Sequence, residues 1–151
     1  MGTGERVEER IGEAFELGEQ LTVIGRQLRP GDPAPEFTLD HFDGSAVRTV
    51  RLADSAGKVR LLHTVNSLFT PVCHVETRRW EELRAGLPPG VEGYTGSMDL
   101  PFALKRFCGA AQAGKIQALS DHREASFGKA YGVLIKELRL LARAVLRTER
   151  S

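Results

Sequence analysis

Cysteine is scarce in this sequence, whose 151 residues contain only Cys73 and Cys108. Two cysteines exclude the dense disulfide framework that stabilises many small secreted proteins. In a reducing compartment, such a pair is either two buried thiols that pack as small apolar side chains or a working redox couple. The count alone favours the buried thiols.

Long apolar runs and an excess of one charge are also missing. No stretch approaches the roughly 20 apolar residues of a membrane helix, and the charged N-terminal segment lacks the apolar core of a signal peptide. The 21 Lys and Arg residues nearly balance the 20 Asp and Glu residues, so the charge does not call for nucleic acid or a membrane as partner. We therefore expect a cytoplasmic protein.

Metal and nucleotide motifs are absent as well. The histidines and the two widely separated cysteines lack the spacing of zinc ligands. Gly128 and Gly132 are separated by residues that favour a helix, so they do not form a phosphate-binding loop. The sequence predicts neither a metal site nor a cofactor.

The residues that are present predict one α/β domain over 1–151. The length suits a single domain, and 41% hydrophobic residues suffice for a core. Short apolar runs broken by Gly18 and Gly25 predict an N-terminal β-hairpin (11–28). The core (29–146) begins with a proline-rich extended connector. In the core we expect strands at 36–39, 47–52, 58–65, 91–98, 116–119 and 140–146, and helices at 73–85, 100–107 and 123–131. This alternation is compatible with a thioredoxin-like core.

Two of these elements carry specific expectations. Asp99 precedes the helix 100–107 and is a plausible N-cap for it, with Pro101 in the first turn. The strand 91–98 contains Glu92, Gly93 and Gly96. We expect a poor strand there, because a buried glutamate needs a partner and glycine weakens a strand.

Cys73 follows Thr70-Pro71-Val72 at the predicted start of a helix. A thiol attacks a peroxide only as the thiolate, and the unpaired N–H groups of a first helical turn favour a negative sulfur. Pro71 suits the start of a helix because it has no N–H to leave unsatisfied. The four residues alone do not decide between this chemistry and a buried thiol.

The surrounding sequence resembles the bacterial thiol peroxidases, the atypical two-cysteine branch of the peroxiredoxins. The similarity runs from about residue 11 to residue 146 and is carried by segments in the family's order: LRPGDPAPEFTL (28–39), SLFTPVC (67–73) with ETRR (76–79), SMDLPFALKRFCGA (97–110), LSD (119–121), SFGKAYGV (126–133) and LLARAV (140–145). The resemblance implies a thioredoxin-like peroxiredoxin fold and a peroxidase that reduces hydrogen peroxide and organic hydroperoxides. It also implies thioredoxin as reductant and a homodimer.

The resemblance assigns a role to each matching residue. Cys73 matches the peroxidatic cysteine, and Cys108 matches the resolving cysteine that closes an intrachain disulfide. Thr70 matches the threonine that holds the peroxide, and Pro71 the proline that shields the site from water. Arg143 matches the arginine that lowers the thiolate pKa and polarises the peroxide. Spacing alone does not distinguish this arginine from its neighbours.

The sequence also departs from the family pattern. Asn66 and Phe69 stand where relatives usually carry Pro and Asp, and the strand 91–98 is more polar than usual. The chain stops just after the strand that bears Arg143, whereas in the family another strand and a C-terminal helix follow. We therefore expect an uncovered strand, exposed apolar surface and low stability.

Two other functions remain open from the sequence. A redox sensor, holdase or interaction module would keep the motifs without turnover, and the departures favour that alternative modestly. A thiol–disulfide oxidoreductase ranks last, because the chain lacks the Cys-Xaa-Xaa-Cys pair that such enzymes usually use.

Overall fold

The computed structural model of the chain describes residues 7–16, 18–68, 75, 78–80, 82–83, 86–110 and 117–149. Much of the predicted helix 73–85 lies outside these residues, and the described part of it is helical. The strands are β1 (Glu9–Glu16), β2 (Glu19–Ile24), β3 (Thr38–Phe42), β4 (Val47–Arg51), β5 (Val59–Thr64), β6 (Val91–Ser97), β7 (Ala118–Ser120), β8 (Leu134–Ile135), β9 (Leu140–Leu141) and β10 (Ala144–Thr148).

A six-stranded sheet with the order β10-β5-β6-β7-β3-β4 forms the centre of the fold. Strands β5, β6 and β7 run parallel, whereas β10, β3 and β4 pair antiparallel. Parallel neighbours need long crossover connections, which here contain the helical segments. The predicted α/β class is therefore confirmed.

The strand β6 is better formed than its composition predicts, because it pairs along β5 and also with β7. Glu92 is only half-buried, and its carboxylate lies 2.8 Å from the Lys58 ammonium group. Gly96 leaves room for Leu141, whose Cδ1 lies 3.9 Å from the position of a Cβ at residue 96. The polar and small residues of this strand thus have partners.

A second sheet of order β1-β2-β8-β9 contains the N-terminal hairpin. The hairpin strands cover Glu9–Glu16 and Glu19–Ile24, so β1 begins before the predicted boundary at residue 11. Arg10 donates hydrogen bonds to the carbonyl oxygens of Gly25 and Gly132. This side chain ties the hairpin to the core.

The predicted single strand over 140–146 is wrong. Leu140–Leu141 pairs with β8 in the second sheet, and Ala144–Thr148 pairs with β5 in the central sheet. The chain changes sheets at residues 142–143, where the Ala142 N–H donates to the Val133 carbonyl oxygen (2.7 Å). The segment LLARAVL (140–146) is apolar on both sides of this break, so its pattern could not reveal the change of sheet.

The helices α1 (Pro101–Ala110) and α2 (Ser126–Ala130) follow β6 and β7. The predicted helix 123–131 is too long, because Ala125 has a left-handed backbone (φ 52°) and α2 begins only after it. A short 3-10 helix at Leu52–Ser55 replaces the predicted last residue of β4.

Two buried clusters form the described core. The larger cluster joins both sheets and α2, and includes Phe37, Leu62, Phe127 and Leu141. The smaller cluster joins the chain beyond β5 to α1 and β7; its members are Val65, Leu68, Leu104, Phe107 and Ala118. The second cluster matters for function because it packs the chain that leads toward Cys73 against the helix that contains Cys108.

Candidate functional site

The parallel strands β5, β6 and β7 end at the same edge of the central sheet. The segment that leads to Cys73 leaves β5 there, and α1, which contains Cys108, follows β6. Loops at the carboxyl ends of parallel strands are the usual place for functional residues in α/β folds. Both cysteine-bearing segments therefore begin at one end of the sheet.

The predicted site residues differ in what the structure says of them. Thr70, Pro71 and Cys73 lie outside the described residues. Cys108 lies in the last turn of α1, and its side chain lies outside the described part. Arg143 is exposed and lies between β9 and β10. The next residue, Ala144, pairs with Thr64, the last residue of β5, so the backbone of residue 143 lies where the segment toward Cys73 begins.

Asp99 connects the first residues of that segment to the base of α1. Its Oδ1 accepts from the Ser67 hydroxyl (2.7 Å), and its Oδ2 accepts from the Leu68 N–H (3.0 Å). The Ser97 hydroxyl, at the end of β6, also donates to Oδ2 (2.9 Å). The prediction of Asp99 as a helix cap is therefore corrected, because both carboxylate oxygens accept from groups outside α1.

Apolar packing supports the same connection. Leu68 is completely buried and belongs to one cluster with Leu104 and Phe107 of α1. Removing a buried leucine side chain from such a cluster typically costs about 2–5 kcal/mol. The start of the Cys73 segment is thus held against α1 by hydrogen bonds and by a packed side chain.

Polar side chains also join the end of β5 to the chain before Arg143. The Thr64 hydroxyl donates to the Ala142 carbonyl oxygen (2.7 Å), and the Asn66 amide donates to the Leu141 carbonyl oxygen (2.8 Å). A proline, the usual family residue at position 66, has no side-chain donor for such a bond. This departure from the family pattern thus makes a contact beside Arg143.

Asp121 follows β7 at the same edge of the sheet and is 1% exposed. Its two carboxylate oxygens accept from the N–H groups of Phe127 (3.1 Å) and Gly128 (2.7 Å) at the start of α2. Burial raises the pKa of this carboxyl to about 6, although both hydrogen bonds act to lower it. Asp121 therefore titrates close to neutral pH.

His63 is buried in the core. It is 2% exposed, and its ring stacks on Trp80 with the ring centroids 4.9 Å apart. Trp80 is the only tryptophan in the chain, and it belongs to the predicted helix that begins with Cys73. This contact joins that helix to β5.

Asp99, Ser67 and Thr64 were missed as functional candidates at the sequence level. The available signal was the pattern Ser97-Met98-Asp99 at the end of a predicted strand, where a carboxylate faces the ends of neighbouring strands. Among the described residues, no helix combines the length and the apolar character needed to cross a membrane.

Comparison with known proteins gives consistent results. Residues 29–151 match the Redoxin family model. A thiol peroxidase from Halalkalibacterium halodurans is 52% identical over 128 residues, which cover 85% of this chain and 75% of the relative. A thiol peroxidase from Bacillus subtilis is 47% identical, with 85% of this chain and 74% of the relative covered.

Solved structures agree with the sequence relatives. A peroxiredoxin-like protein from Aquifex aeolicus superposes with a TM-score of 0.75 at 37% identity, covering 88% of this chain and 77% of its own. A thiol peroxidase from Chromobacterium violaceum superposes with a TM-score of 0.70 at 27% identity, covering 87% and 75%. These structures confirm the predicted thioredoxin-like peroxiredoxin fold. The chain therefore belongs to the Redoxin family and, within it, to the thiol peroxidases of the peroxiredoxin type.

Proposed function

We propose that this thiol-dependent peroxidase uses Cys73 as its peroxidatic cysteine and Cys108 as its resolving cysteine. The observation that carries the proposal is that the segments bearing Cys73 and Cys108 begin at the same edge of the central sheet. They leave the neighbouring parallel strands β5 and β6 at one end of the sheet, and Leu68 packs with Leu104 and Phe107 between them. The chain's membership of a thiol peroxidase family does not favour the alternative of a sensor, holdase or interaction module without turnover.

The chemistry balances with a peroxide and a dithiol. The Cys73 thiolate attacks one peroxide oxygen, the O–O bond breaks, and with one proton the other oxygen leaves as water or alcohol. The resulting sulfenic acid reacts with the Cys108 thiol, which forms the disulfide and releases water. A reduced dithiol then exchanges with this disulfide and becomes oxidised.

Three further residues complete the proposed site. The Thr70 hydroxyl holds the peroxide by a hydrogen bond, and Pro71 keeps water from the sulfur. The Arg143 guanidinium stabilises the Cys73 thiolate and polarises the O–O bond, because its permanent charge and several N–H donors suit an oxygen anion. The position of Arg143 beside the end of β5 supports this role.

The substrates and partners follow from the family. We propose hydrogen peroxide and organic hydroperoxides as substrates, thioredoxin as the reductant, and a cytoplasmic homodimer as the working form. The two cysteines and their matching family positions support the thioredoxin assignment, because a disulfide formed within one chain is a substrate for dithiol exchange.

Peroxide consumption by cysteine variants tests the proposal. With thioredoxin and its reductase, the unmodified protein is expected to turn over many equivalents of hydrogen peroxide. Cys73→Ser is expected to consume none, whereas Cys108→Ser is expected to reduce about one equivalent and then stop, because its sulfenic acid has no resolving partner. Full turnover by Cys73→Ser contradicts the assignment of that cysteine.

A matched pair of arginine variants tests the role of Arg143. Arg147 is also exposed, lies on β10 and pairs with Glu149 (3.0 Å). Arg143→Lys is expected to slow the reaction of Cys73 with peroxide by about tenfold or more, since lysine lacks the planar fork of donors. Arg147→Lys is expected to leave that rate unchanged. Equal rates for both variants contradict the proposed role.

A further inference from the structure

We propose that Asp99 is a positioning residue, which fixes the segment bearing Cys73 to the base of the helix bearing Cys108. The inference rests on the proposed roles of the two cysteines. Asp99 has no role in the proposed function as stated above. The inference gives it one and names the step of the reaction that it affects.

The hydrogen bonds of Asp99 connect one carboxylate to two chain segments. Ser67 and Leu68 donate to it from the segment toward Cys73 (2.7 and 3.0 Å), and Ser97 donates to it from β6 (2.9 Å). Hydrogen bonds to an ionised acceptor are roughly twice as strong as neutral ones. The carboxylate therefore restrains this segment more than a neutral side chain would.

The backbone of residue 99 is itself held in place. Its carbonyl oxygen accepts from the Ser120 hydroxyl at the end of β7 (2.5 Å), and its N–H donates to the Ser97 hydroxyl (3.2 Å). The carboxylate thus projects from a position anchored to two parallel strands. A rigid support of this kind is what a precisely placed reacting group requires.

The restraint acts close to the reacting atoms along the chain. Leu68 precedes Thr70 by two residues, and Thr70 and Cys73 are the proposed donor and nucleophile. The burial of the Leu68 side chain in the cluster with Leu104 and Phe107 prevents the segment from rotating away. Loss of the carboxylate bonds leaves the packing in place but frees the segment's polar groups.

Asp99 is expected to act on the first chemical step. Attack on the peroxide needs the sulfur, the hydroxyl and the peroxide in one arrangement, so it depends on a segment fixed in advance. Disulfide formation, in contrast, requires the two sulfurs to move into bonding distance. Releasing the segment is therefore expected to slow sulfenic acid formation without slowing disulfide formation.

Serine variants at position 67 test this inference. Ser67→Ala removes one hydrogen bond to Asp99, whereas Ser67→Thr keeps the hydroxyl. Ser126→Ala is the matched control, because the Ser126 hydroxyl, on α2, accepts from the Thr38 N–H and donates to the Thr38 carbonyl oxygen. The rate of sulfenic acid formation is measured in a Cys108→Ser background. The rate of disulfide formation is measured in the otherwise unmodified chain at peroxide concentrations high enough that conversion of the sulfenic acid, and not its formation, limits the rate. Both are followed by quenched-flow mass spectrometry.

The expected pattern separates positioning from folding. Ser67→Ala is expected to slow sulfenic acid formation by about fivefold to tenfold, Ser67→Thr to restore it to within about twofold, and Ser126→Ala to leave it unchanged. Disulfide formation is expected to be no slower in any of them. Asp99→Asn is a second variant, which keeps the size of the side chain but removes the charge, and it is expected to slow the first step at least as much as Ser67→Ala.

Two results overturn the inference, and they can be told apart from failure of the proposed function. If the unmodified chain forms the disulfide while Ser67→Ala and Asp99→Asn react with peroxide at the unmodified rate, Asp99 has no positioning role and the cysteine assignment stands. If both steps slow equally together with a lower melting temperature, the role of Asp99 is only structural. If the unmodified chain does not react with peroxide, the proposed function fails and the inference fails with it.

Discussion

Replacing Asp121 by asparagine is expected to remove a specific pH dependence of folding stability. The Asp121 carboxyl is buried, and its pKa is raised from 3.8 to about 6 in the folded protein. The folded state therefore holds more protons at this group than the unfolded state does between these pH values. Stability from this group is fully present below pH 3.8 and is lost as the pH rises through about 6.

The size of the effect follows from the shift. A difference of about 2 pKa units corresponds to about 3 kcal/mol of unfolding free energy, as an order of magnitude. Asp121→Asn stays neutral throughout, so it lacks this loss. It has one side-chain carbonyl oxygen for the N–H groups of Phe127 and Gly128, and the bond that it lacks relative to the ionised carboxylate is worth about 1 kcal/mol.

Urea unfolding of both proteins between pH 4 and pH 8 measures the effect. The free energy of unfolding of the natural protein minus that of Asp121→Asn is expected to fall by about 3 kcal/mol across the window from about pH 4 to pH 7. Other titrating groups cancel in this difference. A difference that is constant with pH, or that rises, refutes the assignment of a raised pKa to Asp121.

Three other variants test the packing and the contacts around the site. Gly128→Ala is expected to destabilise the protein by about 1–3 kcal/mol, because the added Cβ would lie 2.8 Å from Leu141 Cδ2; an unchanged urea midpoint contradicts this packing. Asn66→Ala is expected to cost about 1 kcal/mol through loss of the bond to the Leu141 carbonyl oxygen, and equal thermal unfolding of the two proteins would argue against that bond. The Tyr131 hydroxyl donates to the Pro35 carbonyl oxygen (2.8 Å), and burial raises the Tyr131 pKa to about 12. Tyr131→Phe is therefore expected to lose about 1 kcal/mol in urea unfolding at neutral pH, and a variant as stable as the parent contradicts this.

The sequence alone predicted the strands, turns and helix starts that depend on the conformational preferences of neighbouring residues. The strands predicted at 47–52 and 58–65 match β4 and β5 closely, and Pro101 is the first residue of α1. Gly18 lies between the strands of the hairpin, where its positive φ (81°) suits a turn. Such signals depend on the backbone preferences of single residues.

Tertiary contacts decided the elements that the sequence did not predict. Residues 140–146 form two strands because Leu141 is needed in the core between the sheets, while Ala144 pairs with β5. The two-residue strand β8 was missed because its apolar run gives no period. Residue 125 has a left-handed backbone although alanine favours a helix, and this shortens α2.

The candidate site was predictable only in part, for a related reason. The resemblance predicts site roles for the two cysteines and Arg143, since these lie in long matching segments. The role of Asp99 depends on Ser67, which is distant in sequence and becomes a neighbour only when β5 and β6 pair. A short motif cannot predict a contact of this kind.

The central claim is that Cys73 and Cys108 form one redox pair within a single chain. Its most direct test is peptide mapping of the reduced protein after reaction with one equivalent of hydrogen peroxide. One cross-linked peptide pair that contains both cysteines is expected, and a non-reducing denaturing gel is expected to show no disulfide-linked dimer. Two free thiols in a folded protein, or a disulfide between two chains, would contradict it.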